Sequence, residues 1–267
     1  MFDLAALEAE LAGTIFAGKL HFSRVTGSTN NDAAAAARMG APHGSVYFSD
    51  EQLAGRGRGD HGWISAAGEG LYVSVLLRPR ISAACMAFIP FAAGLAAAHA
   101  IRTVSSLAST PRLEVDLRWP NDLLIGPRKA GGILVEAGTN SERLLHAVLG
   151  IGINVHQRVF PPDLATPATS LDLESNRHIA RQDLLLALLK SLQREALALA
   201  SPDAAKEIAA RFEEASTWIR GRRVEVHGPQ ACSGVTAGLD ENGFLRVATA
   251  AGLVTVQTGG LREKTSF

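Results

Sequence analysis

The sequence predicts an α+β protein in which a large mixed sheet with helices is followed by a small all-β domain. Three observations predict it. Short β-branched and aromatic runs follow one another across tight turns, which implies a mostly antiparallel or mixed sheet. Two longer stretches, Asp183 to Leu199 and Ala204 to Trp218, carry helical apolar spacing instead. Beyond them lie four short strands around 223–226, 232–235, 244–247 and 253–256, with Asn242-Gly243 as a hairpin turn. The expected domains are residues 1–219 and 220–267.

Taken in order, Leu4, Leu7 and Leu11 fit a short amphipathic helix, and His21 to Val25 a strand. Ser28-Thr29-Asn30 precedes an alanine run ending at Met39, where hydroxyl or amide caps mark a helix start. Capping alone accounts for these three residues, yet a capped start also aims free N–H groups and hydroxyls at one spot. Val46-Tyr47-Phe48 and Leu71 to Leu77 read as strands on either side of a glycine-arginine loop. Ala83 to Ile101 is apolar but alanine-rich and broken by Pro90, Gly94 and His99, so it reads as a buried core helix and not a membrane span. Leu113 to Trp119 alternates as a half-buried strand and turns at Pro120-Asn121-Asp122 into Leu123-Leu124-Ile125. A second turn at Gly126 to Lys129 leads into the strand Gly131 to Glu136. Leu144 to Val148 and Gly150 to Val155 continue the sheet.

Composition excludes several classes. Lys+Arg 26 and Asp+Glu 26 cancel, which argues against a general nucleic-acid coat. A 47% hydrophobic content and mean hydropathy of +0.12 imply a substantial core. Cys85 and Cys232 form no C-x-x-C, and the acidic amino terminus lacks a basic flank with an apolar run. A cytoplasmic protein without membrane attachment is expected. No G-x-S-x-G or H-E-x-x-H occurs, and the eight histidines show no ligand spacing, so hydrolase and zinc-enzyme readings lose support. Gly13 to Leu20 nearly spells a P-loop, but Leu20 stands where a hydroxyl should reach Mg²⁺ and a helix precedes it.

The richest stretch is Gly55-Arg56-Gly57-Arg58-Gly59-Asp60-His61-Gly62-Trp63, with Gln52 upstream. Glycine lets backbone N–H groups approach a ligand, and arginine adds a planar donor fork fitted to carboxylate or phosphate. Residues 57–62 also read G-x-G-x-x-G, but a strand follows where a dinucleotide site needs a helix. An RNA-binding segment is the rival from another class; such segments are usually repetitive and disordered, whereas this one is single and bracketed by strands. Asn121 and Asp122 offer an amide and a carboxylate after a strand, although an ordinary turn explains them equally well. Lys129 is a cation beside Ala130-Gly131-Gly132, suited to the same anion as Arg56 and Arg58. Asn154, after a glycine-punctuated strand, faces inward and needs partners.

In order, Ser28-Thr29-Asn30, then Gln52 to Arg58 with Trp63, then Trp119-Pro120-Asn121-Asp122-Leu123, then Arg128 to Glu136, then Gly150-Ile151-Gly152-Ile153-Asn154-Val155 resemble the motifs of biotin protein ligases. The resemblance covers nearly the whole chain. It implies a catalytic domain similar to class II aminoacyl-tRNA synthetases, a mixed sheet with helices on one side, and an SH3-like C-terminal barrel. No helix-turn-helix stretch precedes Leu4, so the form without an N-terminal DNA-binding domain is expected, with no DNA partner.

The resemblance further implies that biotin and MgATP give biotinyl-5′-AMP, whose biotin passes to a lysine of a biotin carboxyl carrier protein or domain. It assigns Arg56, Arg58 and Lys129 to catalysis, and Ser28, Thr29, Asn30, Gln52, Arg56, Gly57, Arg58, Lys129 and Gly131 to biotin. Trp63, Arg118, Asn121, Asp122 and Asn154 fall to ATP, and Asp122 also to metal. Arg118 departs from the family in standing where lysine is common, and His61 replaces an arginine. Lipoate-protein ligase is the nearest rival, since it shares the adenylation chemistry but would be expected to lack the Gly-Arg-Gly-Arg loop. Exposed sheet edges leave room for a homodimer.

Overall fold

The computed structural model describes residues 2–59, 61–78, 83–106, 112–139, 144–201 and 203–264. Asp60 of the loop therefore lies outside the described residues. The elements are α1 (Leu4–Glu10), β1 (Leu20–Thr26), α2 (Thr29–Arg38), β2 (Ser45–Gln52), β3 (Gly70–Leu77), a 3-10 turn (Ala83–Phe88), α3 (Ile89–Ser105), β4 (Asp116–Arg118), β5 (Asp122–Ile125), β6 (Arg128–Thr139) and β7 (Leu144–Asn154). They continue with α4 (Leu171–Ser175), α5 (Arg181–Ala198), α6 (Ala204–Glu214), β8 (Arg220–His227), β9 (Cys232–Leu239), β10 (Leu245–Thr249), β11 (Gly252–Val256) and β12 (Gly260–Glu263).

Seven strands form one mixed sheet in the order β1-β2-β3-β7-β6-β5-β4, parallel only between β1 and β2. Strand alternation sorts β3 and β7 onto two faces. Leu71, Val73, Val75 and Leu77 of β3 with Ala147, Leu149, Ile151 and Ile153 of β7 join the main core under α3 and α5. Leu76 and Val148 face the other way and pack with Ala33 and Ala37 of α2. The helices therefore do not all lie on one side: α2 covers the second face, and the cavity opens beside it. Ala93, Ala96, Ala97 and Ala100 are buried and keep α3 slim on its core-facing side, so its apolar length serves the core.

The remaining strands form an antiparallel sheet in the order β11-β10-β9-β8-β12. Asn242-Gly243 turns the chain into β10, with Gly243 at φ +79°. Leu113 to Val115 join no strand of the sheet, so β4 is shorter than the alternation predicts. Leu144 to Asn154 form a single strand. The short α4 and β12 escape the sequence reading because neither carries a full period of apolar alternation.

Candidate active site

A cavity of roughly 880 Å³ opens on the α2 side of the large sheet, within the range typical of small-molecule sites. Two glycines clear its floor. A Cβ on Gly150 would stand 2.1 Å from the Asn30 side-chain oxygen, and one on Gly152 would stand 2.6 Å from the Trp63 indole. Asn30 and Trp63 thus lie directly on β7 where any other residue would exclude them.

At one end a continuous row of polar groups runs along the floor, with Gln52, Thr29, Asn30 and Arg56 lining the cavity and Ser74 and Glu136 linking them from behind. Gln52 Oε1 accepts from the Thr29 main-chain N–H at 2.9 Å and from its hydroxyl at 3.1 Å. Thr29 Oγ1 meets Ser74 Oγ at 2.8 Å, and Ser74 donates to Asn30 Oδ1 at 2.6 Å. Asn30 Nδ2 then donates to Glu136 Oε2 at 2.8 Å, and Arg56 Nη2 reaches the same oxygen at 2.5 Å. Such a network is rigid because each buried polar group has a partner. Ser28 occupies the α2 N-cap position without making a capping bond, and it lines the cavity together with Thr29 and Asn30.

The other end is cationic. Residues 52–59 and 61–65 pair as a ribbon closed by Gln52 opposite Ser65 and Arg56 opposite Gly62, with the Gly57 N–H donating to His61 O at 2.7 Å. Arg58, at its tip, donates to Gly259 O at 2.5 Å and so fastens the ribbon to the turn between β11 and β12. Burial lowers the Arg58 pKa, and Asp122 partly opposes that. Lys129 Nζ lies 2.5 Å from Asp122 Oδ1 and 5.5 Å above the Trp63 ring. Arg118, itself buried, holds Asp122 Oδ2 at 2.6 Å. Burial by itself would raise the Asp122 carboxyl, but Lys129 and Arg118 outweigh it and hold it below the usual range. Trp63 Nε1 is buried over the Gly152 floor with no hydrogen-bond partner.

Residues 22–154 match the Biotin/lipoate A/B protein ligase family. A biotin--[acetyl-CoA-carboxylase] ligase of Mycobacterium tuberculosis is 35% identical over 243 residues, covering 88% of this chain and 85% of that protein. The chain belongs to the biotin protein ligase family. A biotin protein ligase from Aquifex aeolicus, solved in complex with biotin and ATP, superposes with a TM-score of 0.77 at 26% identity, covering 93% of this chain and 100% of that one. A bifunctional ligase/repressor BirA of Bacillus spizizenii is 34% identical over 172 residues, 64% of this chain and 51% of its own length. The match therefore spans about half the length of that relative.

Within this biotin ligase fold, Ser28, Thr29, Asn30, Gln52, Arg56, Gly57, Arg58, Trp63, Arg118, Asn121, Asp122, Lys129 and Asn154 all line the one cavity. Gly131 does not. It is buried against Leu123 and the Gly152 carbonyl, and Gly132 takes the place on the wall. Asp122 is the one carboxylate among the described residues lining the cavity, and its two oxygens are occupied by Lys129 and Arg118. A protein-held Mg²⁺ does not fit this donor set, which corrects the metal assignment of Asp122. Asn121 Nδ2 donates to Ile133 O at 2.6 Å and Asn154 Nδ2 to Thr169 O at 3.0 Å, so both amides brace the walls they line. Glu136 escapes the site reading of the sequence because nothing in an extended strand announces that Asn30 and Arg56 converge on it.

Proposed function

We propose that this chain activates biotin with MgATP and transfers it to a lysine of a biotin carboxyl carrier protein or domain. One observation carries the reading: a single cavity joins a neutral, hydrogen-bonded polar row to a group of cations that includes Arg56, Arg58 and Lys129. A cyclic urea needs matched donors and acceptors, each unpaired group costing about 1–3 kcal/mol, and the cavity-lining side chains of Gln52, Thr29 and Asn30, tied together through Ser74, carry both kinds. Ser28 adds a hydroxyl on the same wall.

The first step brings a carboxylate to a triphosphate, so like-charge repulsion is the barrier to remove. A biotin carboxylate oxygen attacks the α-phosphorus, the bond to the bridging oxygen breaks, and pyrophosphate leaves. Arg56, Arg58 and Lys129 neutralise charge on both reactants as the five-coordinate transition state forms. Mg²⁺ arrives as part of the MgATP substrate. Asp122 acts as a positioning residue that aims Lys129, while Trp63 offers its ring to adenine, with Asn121 and Asn154 on adjoining walls. The ribbon from Gln52 to Ser65 shields the mixed anhydride from water. In the second step the acceptor amine attacks the biotinyl carbonyl carbon, the bond to the phosphate oxygen breaks, AMP leaves and the nitrogen loses a proton.

The division into a biotin/ATP-binding catalytic domain (1–219) and a C-terminal SH3-like domain (220–267), and action in the cytoplasm, belong to the same reading. Its test is biotin-dependent exchange of labelled pyrophosphate into ATP, repeated with lipoate and with Lys129→Ala. Exchange with biotin, silent with lipoate and reduced about 10²–10³-fold by the substitution, is expected. Exchange with lipoate alone, or none with either acid, overturns the assignment.

A further inference from the structure

Behind the cavity wall, three side chains that no spacing in the sequence connects come together. His156 follows β7 two residues after Asn154, Asp172 lies in α4, and His178 lies in the turn beyond it. Their nearest donor atoms all lie within 4.8 Å of one another. The two imidazoles stack with centroids 4.3 Å apart and planes 13° from parallel. Both present Nδ1 to the same carboxylate oxygen, at 2.8 Å from His156 and 3.4 Å from His178.

The main chain fixes this arrangement. The Ile179 N–H donates to Asp172 Oδ1 at 2.9 Å, which leaves Oδ2 aimed at the rings. The Asp172 N–H donates to Val155 O at 2.9 Å, and the His156 N–H to Glu69 O at 2.7 Å. A carboxylate already oriented by a main-chain N–H is what a ligand needs behind it to hold a metal firmly. His178 is 76% exposed, so water can complete the coordination sphere.

We propose that His156, Asp172 and His178 form a binding site for a late first-row divalent cation, Zn²⁺ above all. Two imidazole nitrogens and one carboxylate suit Zn²⁺ in tetrahedral geometry with water in the fourth position. The same donors suit Mg²⁺ and Ca²⁺ poorly, since those ions favour oxygen ligands throughout. The bound ion cross-links the exit of β7 to the segment around α4. That junction carries Asn154 and Gln157 on the cavity side, so the metal acts as a structural clamp behind the nucleotide wall. The site is separate from any ion carried by MgATP.

The test uses the full chain, stripped with EDTA and titrated with ZnCl₂ in a calorimeter, with thermal unfolding followed in parallel. Uptake of one equivalent and a rise in Tm are expected, both lost or weakened at least about tenfold in His178→Ala and His156→Asn, with no response to MgCl₂. His178 is exposed, so the alanine variant keeps the fold, and its unfolding without metal checks that. Co²⁺ substitution should give visible absorption without a thiolate charge-transfer band. No zinc uptake, undiminished uptake in both variants, or a thiolate band pointing to Cys85 or Cys232 overturns the proposal.

Discussion

The Arg56 guanidinium meets the Glu136 carboxylate at 2.5 Å across 80 residues of sequence, and Asn30 shares the same oxygen. Both charged side chains are more than a third exposed, so solvent screens the pair and it contributes less than about 1 kcal/mol to stability. The bond to Asn30 matters more to the fold, because that amide is buried. Glu136→Gln keeps an acceptor for Asn30 and should leave the urea midpoint nearly unchanged while trypsin cuts faster at Arg56 and Arg58. Glu136→Ala should cost about 1–3 kcal/mol, because it strands the amide. Equal stability of the two variants would contradict this division.

Lys129 and Asp122 separate chemistry from stability. Lys129→Ala should cut pyrophosphate exchange about 10²–10³-fold while Asp122 keeps Arg118 as its partner and the fold holds. Asp122→Asn should damage both, since it leaves two cations without a counter-charge in a site where breaking such a pair costs about 3–5 kcal/mol. Urea denaturation alongside the exchange assay distinguishes the outcomes.

The two floor glycines should divide the substrates between them. Gly150→Ala drives into Asn30 and should weaken biotin binding, whereas Gly152→Ala lifts Trp63 and should weaken ATP binding. Isothermal titration with each ligand measures the split. A Gly152→Ala enzyme with unchanged ATP affinity and unchanged indole fluorescence would remove Trp63 from the nucleotide site.

Local chemistry is what the sequence made legible. The helix start near Ser28, the glycine-arginine loop between strands and the Asn242-Gly243 hairpin each depend on residues adjacent in the chain, and the structure places each as read, although the Ser28 side chain makes no capping bond. Pairings between distant residues were not legible. Nothing near Glu136 points to Arg56, and nothing near Asp122 reveals that Arg118 and Lys129 will occupy it. His156 and His178 show no ligand spacing because the turn after β7 and the short α4, not a helical period, bring them together. The side of the sheet taken by α2 was also hidden, since the small alanine-lined patch facing it comes from strands whose apolar alternation serves both faces.

Acid should weaken the fold through histidine. Burial, with Lys19 adding to it, holds the His43 pKa below the ordinary value, and its Nδ1 accepts the Arg78 N–H at 3.0 Å. The unfolded chain, titrating near about 6.5, then binds more protons than the folded one over the interval below. The stabilisation is complete above that value and is lost as pH falls through the folded one. Urea midpoints should therefore drop from about pH 7.5 to about pH 5.5, and His43→Asn, which keeps an acceptor near Nδ1, should shrink the drop. His99 and His146, also lowered by burial, should sustain the remainder.

The hydrogen bond from Arg58 to the Gly259 carbonyl spans 201 positions and joins the ribbon to the smaller sheet. Because that contact is made only when both partners are ordered, their equilibria are reciprocal. A ligand that orders the ribbon should therefore raise the melting temperature of the C-terminal strands by mass action, and a change that loosens those strands should raise that ligand's dissociation constant in the same ratio. The small sheet, far from the chemistry along the chain, is thereby a thermometer of occupancy.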